Sequence, residues 1–263
     1  MSDGTILGLV ALGLSTGLLA GLMGIGGGML MVPALTALLR AQGVDADLSV
    51  KMAIATSMAC IVGTSASSLR AHHRRGQVRW DVWRALAPGV LVGGLLSGAT
   101  LLATLRGQWL AWVFAAFVGL SALQMWRGAR SSGRWDLPRP FGLGAAGAGI
   151  GLVSGLVGAG GGFLSVPFLT ACRVSIHQAV ATSAALGLPI ALANSAGYWW
   201  GGRHLGQSLP GAQGFFYLPA LIILMPLSML AAPLGARLAH ALPVVQLRRG
   251  FALLLLGLAA SMI

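Results

Sequence analysis

Glutamate is absent from this chain of 263 residues, and acids of any kind number five. Charged residues make up 8%, against about 25% in an ordinary soluble domain, which argues against a water-soluble globular protein. The five acids, Asp3, Asp45, Asp47, Asp81 and Asp136, all lie in or beside polar gaps between apolar runs. A carboxylate dyad or a carboxylate-rich metal cage therefore lacks its raw material. Cysteine is equally scarce. Cys60 and Cys172 stand singly in or at the edge of apolar runs, without a CxxC pair or a local His partner, and are read as packing residues. The histidines, at positions 72, 73, 177, 204 and 240, form no ligand-spaced set, so no metal, cofactor or catalytic residue is expected and the chain is not read as an enzyme.

Apolar residues and glycine fill the space. Hydrophobic residues reach 56%, the mean hydropathy is +0.83 and there are 40 glycines, as in a bundle of closely packed membrane helices. The net charge of +12 raises the question of nucleic acid, but the arginines sit singly or in short clusters between apolar runs. Loops that hold a membrane protein's orientation account for that placement, and no nucleic-acid partner is expected. Met1 to Thr5 carries an acid and no base, unlike a secretory signal, so the first apolar run is read as a retained membrane segment.

A crossing of about 30 Å needs roughly 20 residues. Long apolar runs fall at 6–24, 48–69, 83–105 and 109–126, and again at 141–158, 177–200, 215–236 and 244–262. Met29 to Leu39 and Phe163 to Cys172 are apolar but too short to span. The halves are copies. Gly21 to Thr36 (GLMGIGGGMLMVPALT) and Gly155 to Thr170 (GLVGAGGGFLSVPFLT) share 11 of 16 positions at an offset of 134. Ala53 to Ser57 (AIATS) then matches Ala179 to Ser183 (AVATS). The chain divides into a first membrane repeat, 1–126, a cytoplasmic linker, 127–140, and a second repeat, 141–263.

Arginine placement orients these spans. The loop from Arg70 to Arg79 and the central linker each hold four arginines and are assigned to the cytoplasm, two crossings apart. The segment from Arg237 to Arg249 holds three, against one at Arg203, so the former is placed inside. This predicts an all-α polytopic membrane protein of two duplicated, inverted repeats. Each has a glycine-broken helical hairpin followed by three transmembrane helices, and both termini lie outside. The rival is a parallel four-plus-four arrangement, which requires one loop to break the charge trend.

Gly26-Gly27-Gly28 and Gly160-Gly161-Gly162 are places where a helix stops, since glycine costs about 1 kcal/mol against alanine in a helix interior. Each is followed by a short helix with Pro33 or Pro167 read close to its start, as a helix restart. From the break to Arg40 or Arg173 such a helix rises about 15–17 Å, which places both N-termini near the bilayer midplane. Bare N–H groups and positive dipole ends then meet in a low-dielectric gap, where an anion is the natural guest. The candidate substrate residues are Gly26, Gly27, Gly28 and Met29 with Thr56 and Ser57, and Gly160, Gly161, Gly162 and Phe163 with Thr182 and Ser183. Packing competes as an explanation. Gly94/Gly98, Gly147/Gly151 and similar pairs are small-xxx-small motifs that bring helices together without a substrate. The four hydroxyls could equally bond back to their own helices. Asn194 either tunes the substrate or bonds a neighbouring helix, and Tyr198 either lines a vestibule or joins an interfacial belt with Trp199 and Trp200.

The doubled G-x-G-G-G-x-L-x-V-P-x-L-T, at Gly24 to Thr36 and Gly158 to Thr170, with the A-T-S after each, resembles the sulfite exporter TauE/SafE family, also described as sulfonate uptake permeases. The likeness includes G-A-x-L at Gly98 to Leu101 and Gly235 to Leu238. It implies a multi-pass protein of the bacterial inner membrane that carries a small anion such as sulfite, thiosulfate, a sulfonate or a sulfoacetate-like compound, without an ATPase subunit. No G-x-x-x-x-G-K-[ST] loop is present, in keeping with that. The partners expected are the anionic substrate and the lipid bilayer, with protons a candidate coupling ion. An anion channel and a non-transporting membrane assembly protein are the alternatives.

Overall fold

Ten α-helices and one short ribbon make up the regular structure of the residues described by the computed structural model, 3–23, 27–126, 135–205, 209–238 and 257. In the first half, α1 (Asp3–Met23) and α2 (Gly28–Ala41) form a hairpin, followed by α3 (Ala46–His73) and α4 (Trp80–Leu96). The last of these continues through a π-helical turn over Ser97–Leu101 into α5 (Leu102–Thr104), and α6 (Gly107–Trp126) closes the half. In the second, α7 (Pro140–Val157) and α8 (Gly162–Ala171) form the hairpin. After it come α9 (Ile176–Gly202), the antiparallel strands β1 (Ala212–Gln213) and β2 (Phe216–Tyr217), and α10 (Leu218–Leu238). Among the described residues, six segments are long and apolar enough to cross a bilayer: Gly4–Gly21, Ala46–His73, Trp80–Thr104, Pro140–Val157, Ile176–Gly202 and Leu218–Gly235. The protein is an all-α polytopic membrane protein. The expected span at 244–262 apart from Gly257, most of the linker and Gly26 lie outside the described residues.

Two boundaries depart from expectation. Arg70, His72 and His73 continue α3 instead of starting a loop, because basic side chains in a last turn complement the carbonyl end of the helix dipole. At its other end, the Asp45 side chain caps α3 by accepting from the N–H groups of Asp47 (2.9 Å) and Leu48 (3.4 Å). The apolar run at 215–236 begins not as helix but as strand, with Phe215, Phe216 and Tyr217 buried. Gly211 and Gly214, both at positive φ (83° and 55°), turn the chain there, and α10 starts only at Leu218.

The helices pair reciprocally. α1 lies along α10 and α4 along α7, so the first helix of each half packs on the fourth of the other, while α3 and α9 cross at the centre and also touch α10 and α4. Small residues make this possible. A Cβ on Gly17 would run into the backbone of Ser228, one on Gly93 into Ala148, and one on Gly147 or Gly151 into Leu86 or Val90. These glycines therefore serve close helix packing. Gly94 and Gly98 instead face α9, at Asn194 and Gly197.

Candidate functional site

Gly27 and Gly161, the middle residue of each glycine triplet, sit in left-handed backbone (φ 71° and 75°) immediately before α2 and α8. An L-residue pays about 1–2 kcal/mol there, so the break is written in the one residue type that adopts it freely. Neither new helix has a side-chain cap. In α2 the N–H groups of Leu30 and Met31 turn back to Gly27 O, and in α8 those of Leu164 and Ser165 turn back to Gly161 O. The first helical N–H groups, of Gly28 and Met29 and of Gly162 and Phe163, remain at the breaks.

The two breaks meet. A Cβ on Gly28 would strike the carbonyl oxygen of Gly158, which ends α7 in left-handed backbone, and would lie 3.2 Å from Ala159 Cα. Ser57, buried on α3, donates to the same Gly158 O at 3.3 Å. Ser183, its counterpart on α9, bonds Ser165 of α8 through the hydroxyls (2.6 Å). Beside these lies a cavity of about 10 Å³, room for roughly one water, among Thr64, Ser65, Ser68, Gly160, Ser183 and Gly187. Its lining includes no charged side chain.

The structure separates the residues of the two A-T-S motifs. Thr56 and Thr182 do not share the position of the serines: Thr56 Oγ1 accepts from the N–H of Tyr217, just before α10, and Thr182 Oγ1 from that of Arg79, just before α4 (3.0 Å each). Each threonine thus clasps the start of the other half's fourth helix. Met29 is wholly buried, and the Phe163 ring turns edge-on to Phe117 of α6 at 6.3 Å, so it is the backbone of Phe163 that lies at the break. Pro33 and Pro167 are the sixth residues of α2 and α8, past the first turn, so the restart is set by the left-handed glycines before them. Their missing N–H groups relieve the carbonyls of Met29 and Phe163 of a helical partner.

Asn194 belongs to a different place. Fully buried, it donates through Nδ2 to Ile190 O (2.8 Å) and, across to α7, to Gly151 O (3.4 Å), while its Oδ1 faces Gly155 and Ser97 in the π-turn. Tyr198, one turn on, is also buried and donates to Gly155 O at 2.5 Å, so it joins neither a vestibule nor the belt of exposed Trp199 and Trp200. Tyr198→Phe should lower the melting temperature in detergent by roughly 2–4 °C, the worth of about 1 kcal/mol for one buried bond, and leave flux intact. An unchanged melting temperature would show that this bond ties nothing.

Thr64, Ser65 and Gly187 were not among the residues expected at the gap. Their signal is present in the sequence: Ser57, Thr64 and Ser68 recur at one-face helical spacing, as do Ser183 and Gly187.

Helices long and apolar enough to cross a membrane, and others that restart inside the bundle without a side-chain cap, define a class: polytopic membrane proteins built around discontinuous helices. The family profile described as sulfite exporter TauE/SafE matches residues 9–262, and the chain belongs to that family. A probable membrane transporter protein of Haemophilus influenzae is 33% identical over 98% of this chain and 97% of its own length. Another, of Methanocaldococcus jannaschii, is 30% identical over 66% of this chain and 65% of its own. Both names indicate a transporter and not an enzyme. No solved structure matches the chain.

Proposed function

We propose that the protein is a secondary carrier that moves a small, sulfur-containing anion, of the sulfite, thiosulfate, sulfonate or sulfoacetate-like class, across the bacterial inner membrane by alternating access. The observation that carries this reading is the contact between Gly28, the first residue of uncapped α2, and Gly158, which ends α7 shortly before uncapped α8 restarts; it supports a site shared by the two breaks. An oxyanion there would accept from the N–H groups of Gly28, Met29, Gly162 and Phe163, with Ser57 and Ser183 as hydroxyl donors. The uncharged lining favours anionic cargo, because no carboxylate has to be desolvated beside it.

The 10 Å³ cavity is too small for such an anion, which supports a carrier that closes over its site in preference to an open pore. Opening would part α2 from the end of α7 and exchange the Ser57–Gly158 contact for bonds to cargo. The reciprocal pairing of α1 with α10 and α4 with α7 supports two inverted repeats that rock about the α3–α9 crossing, with both termini periplasmic. A proton travelling on a weakly acidic substrate would supply coupling without an acid in the gap, and the cycle needs no ATPase subunit.

Purified protein should melt several degrees higher with sulfite, thiosulfate or sulfoacetate at saturating concentration than with matched chloride. If none of these anions shifts the melting curve, the central anion site loses its support.

A further inference from the structure

A cavity with a charged lining lies away from the glycine gap, where the turn from α2 to α3 meets the turn from α5 to α6. It measures about 410 Å³ and is lined by Arg40, Asp45, Asp47, Arg106, Gln108 and Trp112, with Ala46 and Ala111. Its two acids are already committed. Asp45 caps α3, and Asp47 pairs with Lys51 at 2.8 Å and accepts from the N–H of Gly107. The arginines are not. Both are exposed, Arg106 meets Asp47 only through the longer-range field, and neither enters an ion pair among the described residues. Two unspent guanidinium forks, an amide and a half-exposed indole facing one cavity are the donor set for an oxyanion with an attached organic group. The volume falls in the range of small-molecule sites, about 300–1,000 Å³, and exceeds what a bare tetrahedral anion fills.

We propose that this cavity is a second anion site, separate from the glycine gap, which takes the sulfonate or phosphate end of either a free solute or an anionic lipid headgroup. Arg40 and Arg106 hold the oxyanion, Gln108 adds an amide donor, and Trp112 covers the apolar part. The opposite half lacks this arrangement in the turn from α8 to α9, since Arg173 there is paired with Asp136 of the linker at 2.9 Å.

The test reads Trp112 fluorescence, taken as the difference between wild type and Trp112→Phe, in purified full-length protein. Sodium sulfate is titrated against matched chloride, and phosphatidylglycerol against phosphatidylcholine in mixed micelles. A saturable difference signal is expected, with its midpoint about tenfold higher in Arg40→Gln and in Arg106→Gln and nearly restored in Arg40→Lys. Saturation by sulfate alone assigns a free anion, by phosphatidylglycerol alone a lipid headgroup, and by both in competition one site open to either. No saturable signal with either titrant, or unshifted midpoints in both glutamine variants, overturns the proposal. The wild-type titration is decisive even if a variant does not fold. Because the readout is local to the cavity and not flux, its failure is distinct from failure of the glycine-gap reading.

Discussion

Gly28→Ala and Gly161→Ala are each expected to cut anion flux into proteoliposomes by at least tenfold. The two variants act through different physics at one place. At Gly28 the backbone angle is ordinary, but the added methyl meets the Gly158 carbonyl, which is main chain and cannot swing aside, so the breaks must part. At Gly161 the φ of 75° itself costs an alanine about 1–2 kcal/mol, and the methyl also presses on Ile190 Cδ1. Overpacking of this kind typically adds about 1–3 kcal/mol. Gly149→Ala is the matched control. A Cβ there has nothing within 4 Å, and alanine in that helix interior should stabilise slightly, with full flux. Wild-type flux in Gly28→Ala and Gly161→Ala alike would remove the convergent breaks from the transport path.

The next largest effect is expected at the threonine clasps. Thr56→Val keeps the shape of the side chain but strands the buried N–H of Tyr217, and Thr182→Val does the same to Arg79. Leaving a buried donor unpaired costs about 1–3 kcal/mol. That corresponds to a melting temperature roughly 2–12 °C lower, with Thr56→Val the larger because Tyr217 is 3% exposed whereas the Arg79 contact is only part-buried. Serine at either position should restore most of the loss. If the valine variants melt normally but change which anion is carried, the hydroxyls act on cargo and the clasp is incidental.

Much of this architecture is legible without coordinates, for local reasons. A 20-residue apolar run carries its own fate in a bilayer, and the α2 and α8 hairpin helices begin and end within two residues of the apolar runs at 29–39 and 163–172. The breaks are legible too, because three glycines in a row remove helix propensity whatever surrounds them. The sequence pattern did not separate Thr56 from Ser57 or Thr182 from Ser183. Neighbours on a helix point about 100° apart, so one faces a break and the other the start of a foreign helix. Nor could it show that Pro33 and Pro167 follow the restart by a turn, since that depends on which glycine takes the left-handed angle.

Composition and duplication by themselves determined a membrane protein made of two related halves, each interrupted by glycine, because burial in lipid and backbone freedom are properties of short stretches of chain. Tertiary structure decided what the interruptions face. Gly28 meets Gly158, Ser57 bonds Gly158, Thr56 holds Tyr217 and Thr182 holds Arg79, and every one of these pairs joins residues more than 100 apart in the chain. Such contacts exist only once α3 has crossed α9 and each hairpin has packed on the other half.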